Sequence, residues 1–129
     1  MLVVEDNAMD VVVIRRVLRE CGLDAGVRVA SDGQQALQYL EQLETHQSRD
    51  WPALVLLDLN VPRVPGIEIL RSLRTRFRIS TRVVIVTSSV SEEDRSATDR
   101  LGADAYFQKP NELTAYLGLA DVIKRILAG

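Results

Sequence analysis

The sequence predicts an α/β domain in which five parallel strands alternate with five helices. The expected architecture is a (βα)5 three-layer sandwich, doubly wound, with strand order 2-1-3-4-5. Three observations carry that prediction. Five short runs of β-branched, aliphatic or aromatic residues recur along the 129 residues, and each ends in polar side chains. The segments between them repeat apolar residues at helical spacing. The strand ends fall near residues 6, 31, 58, 87 and 108, so every interval has room for a helix and two loops.

The first strand is Leu2-Val3-Val4, running into Glu5-Asp6. Asn7 is the expected N-cap of the first helix, Val11, Ile14, Leu18 and Cys21 its apolar face, and Gly22 its stop. The second strand, Val27 to Ala30, alternates in polarity as an edge strand can, and meets Ser31-Asp32. Ala36, Leu37 and Leu40 mark the second helix. The third strand, Ala53 to Leu57, is continuously apolar, as a central parallel strand should be, and delivers Asp58. Ile69, Leu70, Leu73 and Phe77 give the third helix. The fourth strand, Val83 to Val86, delivers Thr87. Ser91-Glu92-Glu93-Asp94 resembles a capping box, with Asp at its last position, and opens a fourth helix that Gly102 ends. Only Ala97 and Leu101 line that helix, so it should be the least firmly packed. Ala105-Tyr106-Phe107 forms a short edge strand leading to Gln108-Lys109. The last helix is expected to start at an Asn111 cap and to bury Leu113, Leu117, Ala120, Ile123 and Leu127. No repeat, linker or low-complexity tract divides the chain, so residues 1–129 are expected to form a single domain.

Composition narrows the chemistry. With 16 basic and 18 acidic side chains, a formal charge of −2 and 47% hydrophobic residues, the chain reads as an ordinary globular protein. Such a balance gives no general attraction to nucleic acid or to an anionic membrane. Cys21 is the only cysteine and His46 the only histidine. An intramolecular disulfide and a multi-cysteine metal site are excluded, and a His-rich metal site or His-based triad is disfavoured. No apolar run approaches the roughly 20 residues of a membrane span. Met1 leads directly into the first strand without a signal peptide, so a cytoplasmic location is expected. Only Lys109 and Lys124 among the 16 basic residues are lysine, which makes the lysine of Lys109-Pro110 read as a chemical choice.

In an open parallel sheet, function gathers at the carboxyl ends of the strands near the switch in strand order. That edge receives Glu5 and Asp6, Asp58, Thr87 and Lys109. Three carboxylates crowded together repel, and at least one protonates unless cations join them. Lys109 supplies one charge, and a hard divalent cation such as Mg²⁺ is the natural supplement for oxygen ligands. The set lacks an imidazole base but suits a phosphoryl group. Cation and lysine would neutralise its oxygens, Thr87 would donate a hydrogen bond, and a carboxylate could attack in line.

These residues bring the chain close to a known family. Val3-Val4-Glu5-Asp6-Asn7, Leu56-Leu57-Asp58-Leu59-Asn60-Val61-Pro62, Thr87-Ser88-Ser89 and Tyr106-Phe107-Gln108-Lys109-Pro110 together resemble the receiver domain of bacterial two-component response regulators. That flavodoxin-like, chemotaxis-regulator-like family is itself one of the stock examples of the 2-1-3-4-5 order. The resemblance spans Leu2 to about Leu127. It implies that Asp58 is the phosphoacceptor and that Asp6, Asp58 and the Asn60 backbone carbonyl bind Mg²⁺, with Mn²⁺ as a substitute. Glu5 would act at the metal through water. Thr87 and Lys109 would contact the phosphoryl group, and the Lys109–Pro110 bond would be cis. Ser88 would keep access open, Asn60 and Ser89 would tune hydrolysis, and Thr87 and Tyr106 would form a switch. The resemblance further implies a sensor histidine kinase or phosphotransfer protein as phosphodonor, and output through the face of the fourth helix, fifth strand and fifth helix. A homodimer through that face could use Tyr116 or Leu119. The Asp58-Leu59-Asn60-x-Pro62 form is similar to single-domain regulators paired with phytochrome-type or hybrid kinases. One departure stands out: Val64-Pro65-Gly66 replaces the usual Asp-Gly or Asn-Gly, so the loop should keep its path and lose a polar cap.

Three other functions compete. An aspartate-nucleophile Mg²⁺ phosphatase usually has a second acid two residues beyond the nucleophile, where this chain has Asn60. A flavin module would need a phosphate-cradling loop after the first strand, where Glu5-Asp6 repel phosphate. A scaffold acting without phosphorylation would have no use for the intact acid–lysine set. Elsewhere the residues read as structural. Trp51 packs a loop, His46 is solvated, Cys21 is core, and Arg71, Arg74, Arg76, Arg78 and Arg82 form a solvated basic face or a docking patch for an acidic partner.

Overall fold

Continuous apolar runs become the central strands. A computed structural model describes residues 1–129. Its strands are β1 (Leu2–Val4), β2 (Arg28–Ala30), β3 (Leu54–Leu57), β4 (Arg82–Thr87) and β5 (Ala105–Gln108). Its helices are α1 (Ala8–Glu20), α2 (Gly33–Thr45), α3 (Gly66–Arg71), α4 (Glu92–Arg100) and α5 (Leu117–Ala128). All strands pair in parallel, in the order β2-β1-β3-β4-β5. Every residue of β1 and β3 is buried, as is all of β4 beyond Arg82, while the edge strands β2 and β5 stay partly exposed.

Side-chain alternation builds two cores. Leu2, Val4, Val55, Leu57, Val83 and Ile85 face one layer, with Ala36 and Leu40 of α2 and Ile69 and Leu70 of α3. Val3, Leu54, Leu56, Val84 and Val86 face the other, with Ile14, Val17 and Leu18 of α1 and Leu119, Ala120 and Ile123 of α5. Full burial of one such aliphatic side chain contributes roughly 1.5–3 kcal/mol. α4 buries only Thr98, so it lacks this anchorage, as its thin stripe predicts. Beyond α3 the chain widens into a π-helical turn, Ser72–Arg76, and Leu73 and Phe77 remain inside as expected. Trp51 packs on Phe77 at 5.5 Å between ring centroids.

The last helix buries Ala120 and Ile123 as predicted but leaves Leu113, Leu117 and Leu127 outside. A 3₁₀ turn, Leu113–Tyr116, precedes α5, and Asn111 caps nothing. The tighter turn rotates the following face. Tyr116, Leu119, Ala120 and Ile123 point inward, while Leu113, Leu117 and Leu127 remain 66%, 52% and 39% exposed. Tyr116 and Leu119, buried in the core, therefore form no dimer surface.

The basic cluster is largely neutralised by local acids. Arg71 pairs with Glu68, Arg74 and Arg82 with Asp104, and Arg76 with Glu41 and Glu44. This is the solvated-face reading.

Two glycines let loops close over the strand ends. A Cβ on Gly33 would lie 1.8 Å from the Val64 carbonyl oxygen, and one on Gly66 2.1 Å from the Asp58 carbonyl oxygen. Pro65 precedes α3 without a side-chain cap bond, and the Gly66 N–H donates to the Leu59 carbonyl at 3.0 Å. The helix thus starts without a side-chain cap, as the Val-Pro-Gly sequence implies. Gly66→Ala forces the backbone of Asp58 to move, so it should destabilise the fold by about 1–3 kcal/mol, the range for overpacking. Gly118→Ala, whose Cβ would sit at an ordinary 3.6 Å from Phe107, serves as the control. It should be neutral or slightly stabilising by urea unfolding.

Candidate functional site

The sheet register sets the site. Val4 pairs with Leu57, and Leu57 with Ile85, so β1 and β3 end side by side while β4 reaches two residues further. Backbone bonds continue past the strands: Glu5 N–H to the Ala30 carbonyl, Asp58 N–H to Val4 (both 3.0 Å), and Lys109 N–H to Thr87 at 2.8 Å. These bonds fix where each functional side chain leaves the sheet.

Glu5 and Asp58 are held in the same way. One Glu5 oxygen accepts from the Asn7 N–H at 3.1 Å, and one Asp58 oxygen from the Asn60 N–H at 3.0 Å. Their other oxygens both face Lys109 Nζ at 2.8 Å. Asp10, in the first turn of α1, brings a third carboxylate to 2.9 Å from the same nitrogen. The side chains of Glu5, Asp58 and Lys109 are only 1%, 6% and 11% exposed, so water screens this cluster poorly.

The electrostatics follow from crowding. Burial pushes the Glu5 carboxyl from 4.5 up to about 7, the Asp58 charge adding to the shift and Lys109 opposing it. Burial would also raise Asp58, but the Lys109 ammonium and the Asn60 N–H outweigh it and hold the carboxyl below its usual value. Burial disfavours the charged Lys109, yet its close carboxylate partners Asp58, Glu5 and Asp10 keep its proton more firmly than in water. Asp58 is thus the carboxylate that stays ionised, and Glu5 the one that takes a proton when no other cation is near.

Oxygens from Glu5, Asp6 and Asp58 lie within 4.8 Å of one another. Glu5 Oε2 is buried without a hydrogen bond, because its contact with Lys109 lacks hydrogen-bond alignment. An oxygen-only set with one orphaned, buried carboxylate oxygen fits a hard divalent cation. A carboxylate that holds a cation through water does so as the anion, so metal binding should release a proton from Glu5. Divalent-metal affinity by calorimetry should therefore rise with pH up to about 7 and level off above it, the value set by Glu5. Glu5→Gln should flatten the profile. Without metal the sign reverses for stability. The contribution of Glu5 is fully present below 4.5 and is lost as pH rises through about 7.

The hydroxyl side of the site comes from β4 and its loop. Thr87 is fully buried, and its Oγ1 accepts from the Asn60 side-chain amide and the Ser89 N–H, each at 3.4 Å. Ser88 is exposed. The Ser89 hydroxyl donates to Asp94 at 2.7 Å, and its carbonyl accepts from the Tyr106 hydroxyl at 3.0 Å. Arg95 of α4 stacks over the Tyr106 ring at 5.0 Å. Thr87, Ser89, Tyr106 and α4 therefore form one connected set.

The structure brings Glu5, Asp6, Asp58, Asn60, Thr87 and Lys109 together as the sequence led us to expect. It corrects one feature: the Lys109–Pro110 bond is trans, like every peptide bond in the chain. The trans form of an X–Pro bond is intrinsically favoured by about 0.5–1 kcal/mol, and nothing in the sequence specifies the rarer isomer. The sequence does not mark Asp10, and it suggests Tyr116 only as a dimer contact. Tyr116 donates its hydroxyl to Asp10 at 3.2 Å. The available signal was the Asn7 cap, whose side chain accepts from the Asp10 N–H at 3.1 Å and so fixes the first turn of α1 beside the strand ends.

An open parallel sheet that gathers acids, a hydroxyl and a lysine at its switch point defines a domain built to handle phosphate with a cation. The response regulator receiver domain family matches residues 1–118, and the chain belongs to that family. Receivers are the regulatory components of two-component systems; their general role is to be phosphorylated by a kinase, and they are not classical enzymes.

The response regulator Rcp1 of Synechocystis sp. is 31% identical over 113 residues, covering 87% of this chain and 77% of its own. The transcriptional regulator SphR of Synechococcus elongatus is 36% identical over 111 residues, 84% of this chain and 42% of SphR. The fold superposes on the phosphorylated cyanobacterial phytochrome response regulator RcpA with a TM-score of 0.84 at 28% identity, covering 96% of this chain and 89% of that one. The Mn²⁺-bound form of Rcp1 gives 0.84 at 30% identity, covering 98% and 91%. No helix is long and apolar enough to cross a membrane.

Proposed function

We propose that residues 1–129 act as one receiver unit in the cytoplasm, and that Asp58 accepts a phosphoryl group from a phosphohistidine. The donor is a sensor histidine kinase or a phosphotransfer protein, and the reaction requires Mg²⁺. The observation that carries this reading is the placement of Asp58. It is buried, faces Lys109 at 2.8 Å, and offers an oxygen within 4.8 Å of those of Glu5 and Asp6.

An Asp58 oxygen forms the bond to phosphorus while the bond from phosphorus to the imidazole nitrogen breaks. That nitrogen keeps the electron pair and takes a proton from water. Glu5, Asp6, Asp58 and the Asn60 carbonyl hold the cation, with Glu5 acting through water. Bound Mg²⁺ supplies positive charge that neutralises the phosphoryl oxygens. Lys109 contacts one of those oxygens, and Thr87 donates a hydrogen bond to another. Exposed Ser88 leaves the approach open, and Asn60 and Ser89 border the path by which water would hydrolyse the acyl phosphate. Support for the metal comes from the orphaned Glu5 oxygen and from the Mn²⁺-bound Rcp1 relative. The phytochrome regulators among the similar structures favour a phytochrome-type or hybrid kinase as the source of the signal.

Phosphorylation then acts through the loop after β4. Thr87 turns toward the new oxygens and releases its bonds to Asn60 and Ser89. Ser89 moves, and with it the Tyr106 hydroxyl and the lightly anchored α4. The output surface is the face formed by α4, β5 and α5. Thr87→Ala should leave phosphorylation detectable but reduce the phosphate-dependent change in α4, read as amide exchange, by more than half. An unchanged response would remove Thr87 from the switch. The function itself is tested by incubation with Mg²⁺ and acetyl phosphate. Intact mass should rise by one phosphoryl group, and not when EDTA is present.

A further inference from the structure

The geometry points to Asp10 as a positioning residue for Lys109, and to Tyr116, which orients Asp10, as a link that makes the turn ahead of α5 respond to the state of Asp58. This inference rests on Asp58 being the phosphoacceptor.

Asp10 spans two elements with its two oxygens. Oδ2 accepts from Lys109 Nζ at 2.9 Å, and Oδ1 accepts from the Tyr116 hydroxyl at 3.2 Å. Its backbone is fixed, because its own N–H is bonded to the Asn7 cap. The partners lie 99 and 106 residues away, so the fold and not local chain geometry makes the contacts. Asp10 is also outside the set of three acids whose oxygens converge. Once those acids turn to a cation, Asp10 is the carboxylate left to hold the ammonium.

Tyr116 is built to report on Asp10. It is 3% exposed, and its ring packs against Phe107 at 6.0 Å between centroids. A buried phenol needs a partner for its hydroxyl, and here Asp10 is that partner. Burial and the Asp10 charge hold its proton above the usual range, so it remains a donor.

The coupling is mechanical. A phosphoryl group on Asp58 presents new oxygens to Lys109, and the ammonium follows them. The two oxygens of Asp10 share one carbon, so any rotation that keeps contact with Lys109 re-aims the oxygen that Tyr116 uses. Tyr116 ends the 3₁₀ turn, and exposed Leu113 and Leu117 flank it. The state of Asp58 therefore reaches an apolar surface by a route separate from Thr87 and Tyr106.

The test is hydrogen exchange of residues 113–117 in the full chain, with and without Mg²⁺ and beryllofluoride, a phosphoryl mimic. Fluorine NMR reports uptake of the mimic. In the unaltered protein, exchange in this segment should change on the order of fivefold, the size of one net hydrogen bond. Tyr116→Phe should abolish that change while residues 88–91 still respond, and Asp10→Asn should abolish it as well. Asp10→Glu should restore part of it, which a merely structural role would not do. If the mimic is taken up and residues 113–117 stay silent, or respond equally in Tyr116→Phe and Asp10→Asn, the relay is wrong and the phosphoacceptor reading stands. If the mimic is not taken up at all, the phosphoacceptor reading falls and the relay falls with it.

Discussion

Asp58→Asn should take up no phosphoryl group from acetyl phosphate at any Mg²⁺ concentration, while remaining folded. The amide lacks the nucleophilic anion, yet it is nearly isosteric. Its oxygen can still accept from the Asn60 N–H, now at 3.0 Å to the carboxylate. Lys109 keeps Glu5 and Asp10 as partners. The backbone bond from Asp58 N–H to Val4 is untouched. A loss of phosphorylation with unchanged urea unfolding therefore reports chemistry and not collapse. Residual uptake at the rate of the unaltered protein would place the phosphoacceptor elsewhere.

Lys109→Met should have the next largest effect, and on two observables. One ammonium faces Glu5, Asp10 and Asp58 within 2.8–2.9 Å. Removing it leaves those carboxylates crowded in a poorly hydrated cleft. Breaking a buried pair typically costs about 3–5 kcal/mol, and the lower end applies because Glu5 can take up a proton. Added Mg²⁺ should recover most of that loss in Lys109→Met and much less in the unaltered protein. Urea unfolding with and without Mg²⁺ decides it; stability insensitive to Mg²⁺ in the variant would mean that the acids do not share a cation. The rate of phosphorylation should fall about 10²–10³-fold, the usual consequence of losing one preorganised donor to developing charge.

The sheet was legible because its signal is local and redundant. Leu54 to Leu57 and Val83 to Val86 are apolar at every position, as suits short strands buried on both faces. Val27-Arg28-Val29 alternates in polarity, and β2 lies at an edge of the sheet with Arg28 exposed. Once the strand order is known, the strand ends place Glu5, Asp58, Thr87 and Lys109 together without further information. What escaped depends on backbone geometry that residue types do not encode. Leu113 and Leu117 have the spacing of a buried stripe, but a 3₁₀ turn before α5 changes the phase and turns them outward. Asp10 lies on a helix and not at a strand end, so the rule that located the other acids passed over it. The isomer at Lys109–Pro110 is likewise a property of the folded loop.

Borohydride trapping examines the main claim at the level of one residue. Hydride reduces an acyl phosphate and leaves free carboxylates intact. After treatment with Mg²⁺ and acetyl phosphate, the account predicts reduction at Asp58 alone in the peptide map, and none when EDTA is present. Reduction at Asp6, Asp10 or Glu5, or equal labelling without a divalent ion, would contradict it.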